Sequence, residues 1–341
     1  MGLLSIFSSD IAIDLGTANT LIYIRGKGIV LNEPSIVAFD RNTKRIIAVG
    51  NQAKEIQGRE HRDIKVSRPL KDGVIADFEI AEGMLRTFIK MVKGGLLPSR
   101  RIIIAVPNGI TEVEKRAVRD SAEHAGAKEV HLISEPMAAA IGVECDVELP
   151  VGNMIVDIGG GTTEIAVIAL SGIVTNESIR VAGDEINNAI QQFFKRNYNI
   201  LIGERTAEMI KIQVGSAVPL KEEITIQVKG RDLVQGIPTS VEVDSEEIRD
   251  AIREPIDQIV DAIKLTLENT PPELSADILD RGIILTGGGA LLKGLDERIR
   301  NETNLPVHVA EDPLTAVARG VGKVLEEFEK YEKVLIRSRR Y

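Results

Sequence analysis

Ile11-Ala-Ile-Asp-Leu-Gly-Thr-Ala-Asn-Thr-Leu-Ile-Tyr-Ile24 and Met154-Ile-Val-Asp-Ile-Gly-Gly-Gly-Thr-Thr-Glu-Ile-Ala-Val167 follow one pattern. Each starts as an apolar strand and reaches Asp, an apolar residue and Gly. It then turns through a Gly/Thr-rich stretch and leaves as a second apolar strand. Aligned, Asp14 falls on Asp157 and Gly16 on Gly159. A repeat at this separation predicts two related halves, each presenting an acidic turn to a shared cleft. Two such turns can hold a nucleotide's phosphates from both sides.

The composition is that of an ordinary globular protein, with 341 residues, 43% hydrophobic and 27% charged. That length has room for about two domains. Thirty glycines and 3% aromatics favour tight turns over stacking platforms. A net charge of −9 argues against nucleic-acid binding, which draws its affinity from Lys and Arg on phosphates. The single cysteine, Cys145, reads as a thiol in a reducing cytosol. His61, His124, His131 and His308 show no metal-ligand spacing. No run reaches the roughly 18 apolar residues a membrane span needs. The N-terminus lacks the basic region of a signal peptide, and Ile6 breaks the myristoylation pattern. It leaves a small apolar tip of Leu3, Leu4, Ile6 and Phe7.

Outward from the first hairpin, 35–39 and 45–49 read as strands of an inserted subdomain. Residues 75–92 carry helical spacing, with Ile80, Met84, Leu85, Phe88 and Ile89 on one side. Arg101-Ile-Ile-Ile-Ala-Val106 reads as a buried parallel strand. Thr111-Glu-Val-Glu114 is a capping box that opens a helix running to Gly126. A strand at 130–133 leads to Glu135-Pro136, which opens an Ala-rich helix. This order predicts an α/β layer. The second half repeats it, with a hairpin at 154–170, one long helical region at 183–215 and strands near 223–228 and 239–243. A helix at 245–269 follows. A strand at 282–286 then runs through three glycines into a helix, and the last helix spans 313–330.

Taken singly, the motifs are ambiguous. In the turn at 14–19, the amides of Thr17, Ala18 and Asn19 can form a nest for phosphate oxygens, with Asp14 holding water around Mg²⁺. Asp and Gly at a hairpin turn are also common for conformational reasons alone. Gly159, Gly160 and Gly161 carry an entropy cost that close approach to a phosphate chain would explain, with Thr162 and Thr163 adding hydroxyls. The triple glycine at 287–289 suits an anion or a flat ring, or is simply a strand-to-helix loop. It matches neither the dinucleotide fingerprint nor a Walker loop. Glu135 reads as a helix-terminal charge or as the residue that orients water toward a terminal phosphate.

In combination and order, these pieces resemble the actin, hexokinase and heat-shock-chaperone ATPase superfamily. The turns at 14–19 and 157–163 match its two phosphate loops, and 286–291 its adenosine motif. The segments 136–142 and 316–322 match its two connecting helices. Within the superfamily the chain is most similar to the MreB family of bacterial actin homologues. Carrying that likeness are Lys71-Asp-Gly-Val-Ile-Ala-Asp77, Glu135-Pro-Met-Ala-Ala-Ala-Ile-Gly142, Arg180-Val-Ala-Gly-Asp184 and Gly203-Glu-Arg-Thr-Ala-Glu-Met-Ile-Lys211. Thr270-Pro-Pro-Glu-Leu274 and Ala310-Glu-Asp-Pro-Leu314 complete the set.

The resemblance implies an actin-like fold of two duplicated, ribonuclease-H-like halves around a nucleotide cleft, each with a small subdomain. The implied division is 1–31, 66–144 and 315–341 (IA); 32–65 (IB); 145–182 and 244–314 (IIA); 183–243 (IIB). It implies ATP or ADP with Mg²⁺, held through water by Asp14 and Asp157. Thr17, Ala18, Asn19, Gly159, Gly160, Gly161 and Thr162 are expected on the phosphates. Glu208 and Lys211 would meet ribose and adenine, and Gly288, Gly289, Ala290 and Leu291 the adenosine side. Glu135 and Thr162 would be catalytic. The implied function is slow ATP hydrolysis coupled to polymerisation, in filaments of paired antiparallel protofilaments beneath the bacterial inner membrane. Such filaments organise peptidoglycan synthesis and hold rod shape together with membrane cell-shape and wall-synthesis proteins. The expected location is cytoplasmic, peripheral on the inner face of that membrane. The tip at Leu3, Leu4, Ile6 and Phe7, and a second apolar spot at Leu96 and Leu97, suit weak contacts multiplied along a polymer. The alternatives are a small-molecule kinase or a chaperone-type ATPase of the same fold. The first would need a substrate pocket with its own base. The second would need a peptide-binding domain after the second connecting helix.

Overall fold

Two five-stranded sheets of one topology carry the two copies of the repeat. The structure, a computed structural model, describes residues 10–93 and 99–336. In the first sheet, Ile11–Leu15, Asn19–Ile24 and Gly28–Pro34 form an antiparallel meander. Ser99–Val106 and Ala127–Ser134 extend it in parallel from Ile11–Leu15. In the second sheet, Asn153–Ile158, Thr163–Ala169 and Gly172–Ile179 form the meander. Ile283–Thr286 and Val307–Val309 extend it in parallel. The central strands are buried on both faces, which is why they read as unbroken apolar runs: Ile102, Ile103 and Ile104, and Met154, Ile155 and Val156, are all 0% exposed.

Helices cover the sheets where the apolar spacing predicts them. Phe78–Lys93 buries Ile80, Met84, Leu85, Phe88 and Ile89. The capping box at Thr111 forms as read: its side chain accepts from the Glu114 amide, and the Glu114 carboxylate accepts from the Thr111 amide. The halves are joined by the helices Glu135–Gly142 and Ala316–Glu326, which cross at Gly142 and Gly320. A Cβ on Gly142 would lie 1.9 Å from the Ala316 carbonyl oxygen, and one on Gly320 1.7 Å from that of Ala138. Only glycine permits this crossing. Two small sheets stand above the cleft, one from Val37–Asp40, Ile46–Val49 and Ile64–Ser67, the other from Ile200–Leu201, Thr225–Asp232 and Pro238–Asp244.

Several elements differ from the sequence reading. The region 183–215 is two helices, Gly183–Asn197 and Glu204–Val214. Asn199 takes φ +55 and ends the first, and Ile200–Leu201 leaves to pair with the strand Thr225–Asp232. The region 245–269 is also two helices, Ser245–Ala251 and Arg253–Glu268. Pro255 has no amide to bond the Ala251 carbonyl, so the first helix stops there. The glycines at 287–289 open a single 3₁₀ turn, Gly288–Leu291, and the α-helix begins only at Leu295. The last segment breaks at Glu327, after Ala316–Glu326. Elements without a distinct signal include the edge strands Gly28–Pro34, Gly172–Ile179 and Val307–Val309 and the helix Pro272–Arg281. The three strands sit at sheet edges, where one flank is open and polar residues are tolerated.

No helix among the described residues is long and apolar enough to cross a membrane. Leu3, Leu4, Ile6, Phe7, Leu96 and Leu97 lie outside the described residues.

Candidate functional site

The two turns of the repeat meet across a cleft of about 340 Å³, a volume in the range of small-molecule sites. Each turn follows a strand that ends one residue past its Asp, so the shared topology delivers both to the same place. A Cβ on Gly161 would lie 2.9 Å from Thr17 Oγ1 and from the Asp72 amide nitrogen, and one on Gly160 2.8 Å from the Ala18 methyl. The bare second turn is therefore what lets the first turn approach. The short hairpin at Leu70–Lys71 and Val74–Ile75 closes a third side, with the Gly73 amide donating to Thr17 Oγ1 at 3.2 Å.

Asp14, Thr17, Ala18, Asn19, Glu135, Asp157, Gly159, Gly160, Gly161 and Thr162 all line this cleft, as do Glu208, Lys211, Gly288, Gly289 and Leu291. Ala290 does not line it; its methyl is buried in the core of the second half, because the 3₁₀ turn points it inward. The Gly159 amide is occupied by its own turn, donating to the Thr162 carbonyl at 2.9 Å. The Gly183 and Asp184 amides donate to the Gly159 and Gly160 carbonyls. The helix Gly183–Asn197 thus braces the second turn from behind.

Three carboxylates, Asp14, Asp157 and Glu135, line the cleft floor, and a fourth, Glu164, is buried beside them. Burial first, and then Asp157, pushes the Asp14 carboxyl up to about 7. Burial pushes Asp157 up to about 6, against a 2.9 Å hydrogen bond donated by Thr286 Oγ1. Glu135, at the start of its helix, is raised well above the usual carboxylate range by burial, then by Glu164, Asp14 and Asp157. Glu164 is raised by burial and held back by bonds from Ser178 and Asn108. Such a set of hard, mutually repelling oxygens fits a divalent cation of the Mg²⁺ type. Among the described residues no three potential ligands are grouped closely enough to cage a metal ion.

The mouth of the cleft is bridged. Lys54 pairs with Glu208 at 3.3 Å, and Gln57 Nε2 donates to Glu204 at 3.2 Å. Arg68 reaches Glu204 at 2.9 Å and Asp184 at 3.4 Å. Glu208 and Lys211 share a helix face as their spacing predicts, yet they do not pair with each other. Lys211 Nζ donates to the Gly183 carbonyl at 3.0 Å. Arg68, Gly73, Pro107, Asp184, Pro313 and Leu314 also line the cleft and were assigned no role from sequence. For most of these the available signal was their place in or beside the segments 71–77, 180–184 and 310–314.

The MreB/Mbl protein family model matches residues 8–333. The cell shape-determining protein MreB of Escherichia coli K12 is 54% identical over 331 residues, covering 95% of each chain. The cell shape-determining protein Mbl of Bacillus subtilis 168 is 52% identical over 328 residues, covering 96% of this chain and 98% of that one. Among solved structures, MreB5 of Spiroplasma citri bound to ADP superposes with a TM-score of 0.90 at 40% identity, covering 95% of this chain and 98% of that one. With its two duplicated halves, its crossing helices and a near full-length match, the chain belongs to the MreB/Mbl family and has the actin-like fold.

Proposed function

We propose that this chain is a cytoskeletal ATPase that polymerises with ATP and Mg²⁺ and hydrolyses the nucleotide slowly. The observation that carries this reading is the meeting of the repeated acidic turns at one cleft, with Glu135 and Thr162 on its lining. MreB5 of Spiroplasma citri, bound to ADP in one structure and AMPPNP in another, supports a nucleotide as the ligand. In this reading the first turn grips the phosphates from one side and Gly160, Gly161 and Thr162 from the other. Asp14 and Asp157 hold the hydration shell of the cation, which supplies charge neutralisation at the phosphates. Glu135 and Thr162 position the attacking water, since phosphoryl transfer depends on placement more than on covalent chemistry. Glu208 and Lys211 take ribose and base once Glu208 turns from Lys54, and Gly288, Gly289 and Leu291 flank the adenosine.

The names of the relatives support a role in determining cell shape. We assign the polymer to the cytoplasmic face of the inner membrane, in paired antiparallel protofilaments working with wall-synthesis proteins. The four-part division given above is proposed with it. Family membership sets aside the kinase and chaperone readings.

Sedimentation tests the whole. Polymer should pellet with ATP and Mg²⁺, accompanied by slow phosphate release. A chain that stays in the supernatant across a broad concentration range does not fit this function. Deleting residues 2–7 should weaken co-sedimentation of polymer with anionic vesicles; equal pelleting would remove that tip from the membrane contact.

A further inference from the structure

A polar row crosses the second sheet at its cleft end. Strand register sets Thr286, Asp157, Glu164 and Ser178 side by side on four adjacent strands. The outer hydroxyls donate inward, Thr286 Oγ1 to Asp157 at 2.9 Å and Ser178 Oγ to Glu164 Oε1 at 2.6 Å. Asp157 lines the cleft. Glu164 is 0% exposed, and its Oε2 accepts from the Asn108 amide at 3.2 Å. Asn108 belongs to the other half, in the turn after the strand Ser99–Val106, and Pro107 before it lines the cleft.

A fully buried carboxylate is costly and calls for a reason. The repeat supplies its own control. Leu21 pairs with Asp14 as Glu164 pairs with Asp157, and Ala105 stands where Thr286 stands. Leu21 is buried at 4% exposure, so this sheet position folds well with an apolar side chain. The carboxylate therefore serves something the first half lacks, and what it reaches is the opposite half. Val106, two residues before Asn108, pairs with Ser134, the residue before Glu135, so the turn that Glu164 binds is tied to the start of the Glu135 helix. Of the carboxylates near Glu135, Glu164 also acts on it most strongly.

We propose that Glu164 is a positioning residue, a buried strut that ties the turn at Asn108 to the second sheet and so holds Glu135 of the first half in place against Thr162 of the second. This deepens the hydrolase reading and rests on it. The crossing helices alone leave the halves free to change angle. A hydrogen-bonded tie at the cleft floor limits that freedom where a small misplacement of water slows the reaction most.

The test begins without nucleotide. In Glu164→Leu, the residue used by the first half, the Asn108 amide should exchange its hydrogen about tenfold faster or more. With ATP and Mg²⁺, single-turnover hydrolysis should fall about tenfold while nucleotide affinity stays within about threefold. Glu164→Gln keeps an oxygen to accept from Asn108 and should retain most of the rate. Unchanged exchange at Asn108, or hydrolysis by Glu164→Leu at the wild-type rate, overturns the strut. So does a Gln variant as slow as the Leu variant. If Glu164→Leu does not fold, Ser178→Ala decides: slower hydrolysis at equal affinity supports the strut, and the wild-type rate refutes it. A wild-type chain that releases no phosphate would remove the hydrolase reading instead, and the exchange measurement still reports on the tie.

Discussion

Asp14 and Asp157 face one another through a cleft in which, among the described residues, neither has a basic partner, and that makes the nucleotide-free protein sensitive to pH. Asp14 titrates at about 7 in the folded chain, against 3.8 for an ordinary aspartate. Between those values the folded state binds more protons than the unfolded state, so stability falls as pH rises through that window. Asp14→Asn should therefore raise the melting temperature of nucleotide-free protein at pH 8 by a few degrees, on the order of 1 kcal/mol. It should change little at pH 4, and calorimetry at the two pH values measures the difference. The effect is smaller than for a sealed carboxylate because Asp14 stays partly open to the cleft. Glu135→Ala should slow hydrolysis about a hundredfold with nucleotide affinity largely kept, as expected for a group that positions water. Phosphate release beside equilibrium binding separates the two effects, and full turnover would remove Glu135 from that role. The residue types at these positions were legible from the repeat. Their partners were not, since Lys54 meets Glu208 across 154 positions of chain.

At the scale of elements, the crossing of Glu135–Gly142 with Ala316–Glu326 has the closest approaches at any described glycine. Gly320→Ala would drive a methyl into the Ala138 carbonyl, and neither backbone can yield without moving a whole half. Overpacking of this kind costs about 1–3 kcal/mol, and more where backbone is struck. Chemical denaturation should show that loss, whereas Gly203→Ala, where nothing lies within 4 Å of the new methyl, should cost little. A crossing that tolerates alanine would mean that the helices can separate. Element identity was readable wherever a period of 2 or 3.6 persisted or a capping box marked a start. It failed where the pattern ran on past a break: at Asn199 a helix pattern does not announce that a neighbouring strand will capture the chain, and at Ile252 the apolar spacing continues through the stop that Pro255 imposes.

At the scale of the whole molecule, the two halves are joined below by the crossing helices and above by Lys54–Glu208, Gln57–Glu204 and Arg68 with Glu204 and Asp184. A nucleotide must pass this upper row. Exposed pairs of this kind are worth up to about 1 kcal/mol each, so Lys54→Ala with Arg68→Ala should speed nucleotide release by up to about tenfold. Added salt should speed release from the wild type more than from the double variant. Stopped-flow displacement of a fluorescent nucleotide measures both, and equal rates would show that the bridges do not gate the cleft.

The sequence by itself determined the duplication, the two acidic turns, the parallel core strands and the capped helix. Within each copy these are local patterns, written in residues close together in the chain, and the duplication is their recurrence. Through its likeness to a known superfamily the sequence also indicated the two connecting helices, at 136–142 and 316–322. Only the tertiary structure decided that Ala290 turns into the core, that Glu208 faces Lys54, and that Glu164 bonds Asn108 while its counterpart is Leu21. Each of those depends on strand register or on contact between halves. Such pairings join residues far apart in the chain, and no local pattern encodes which of them will meet.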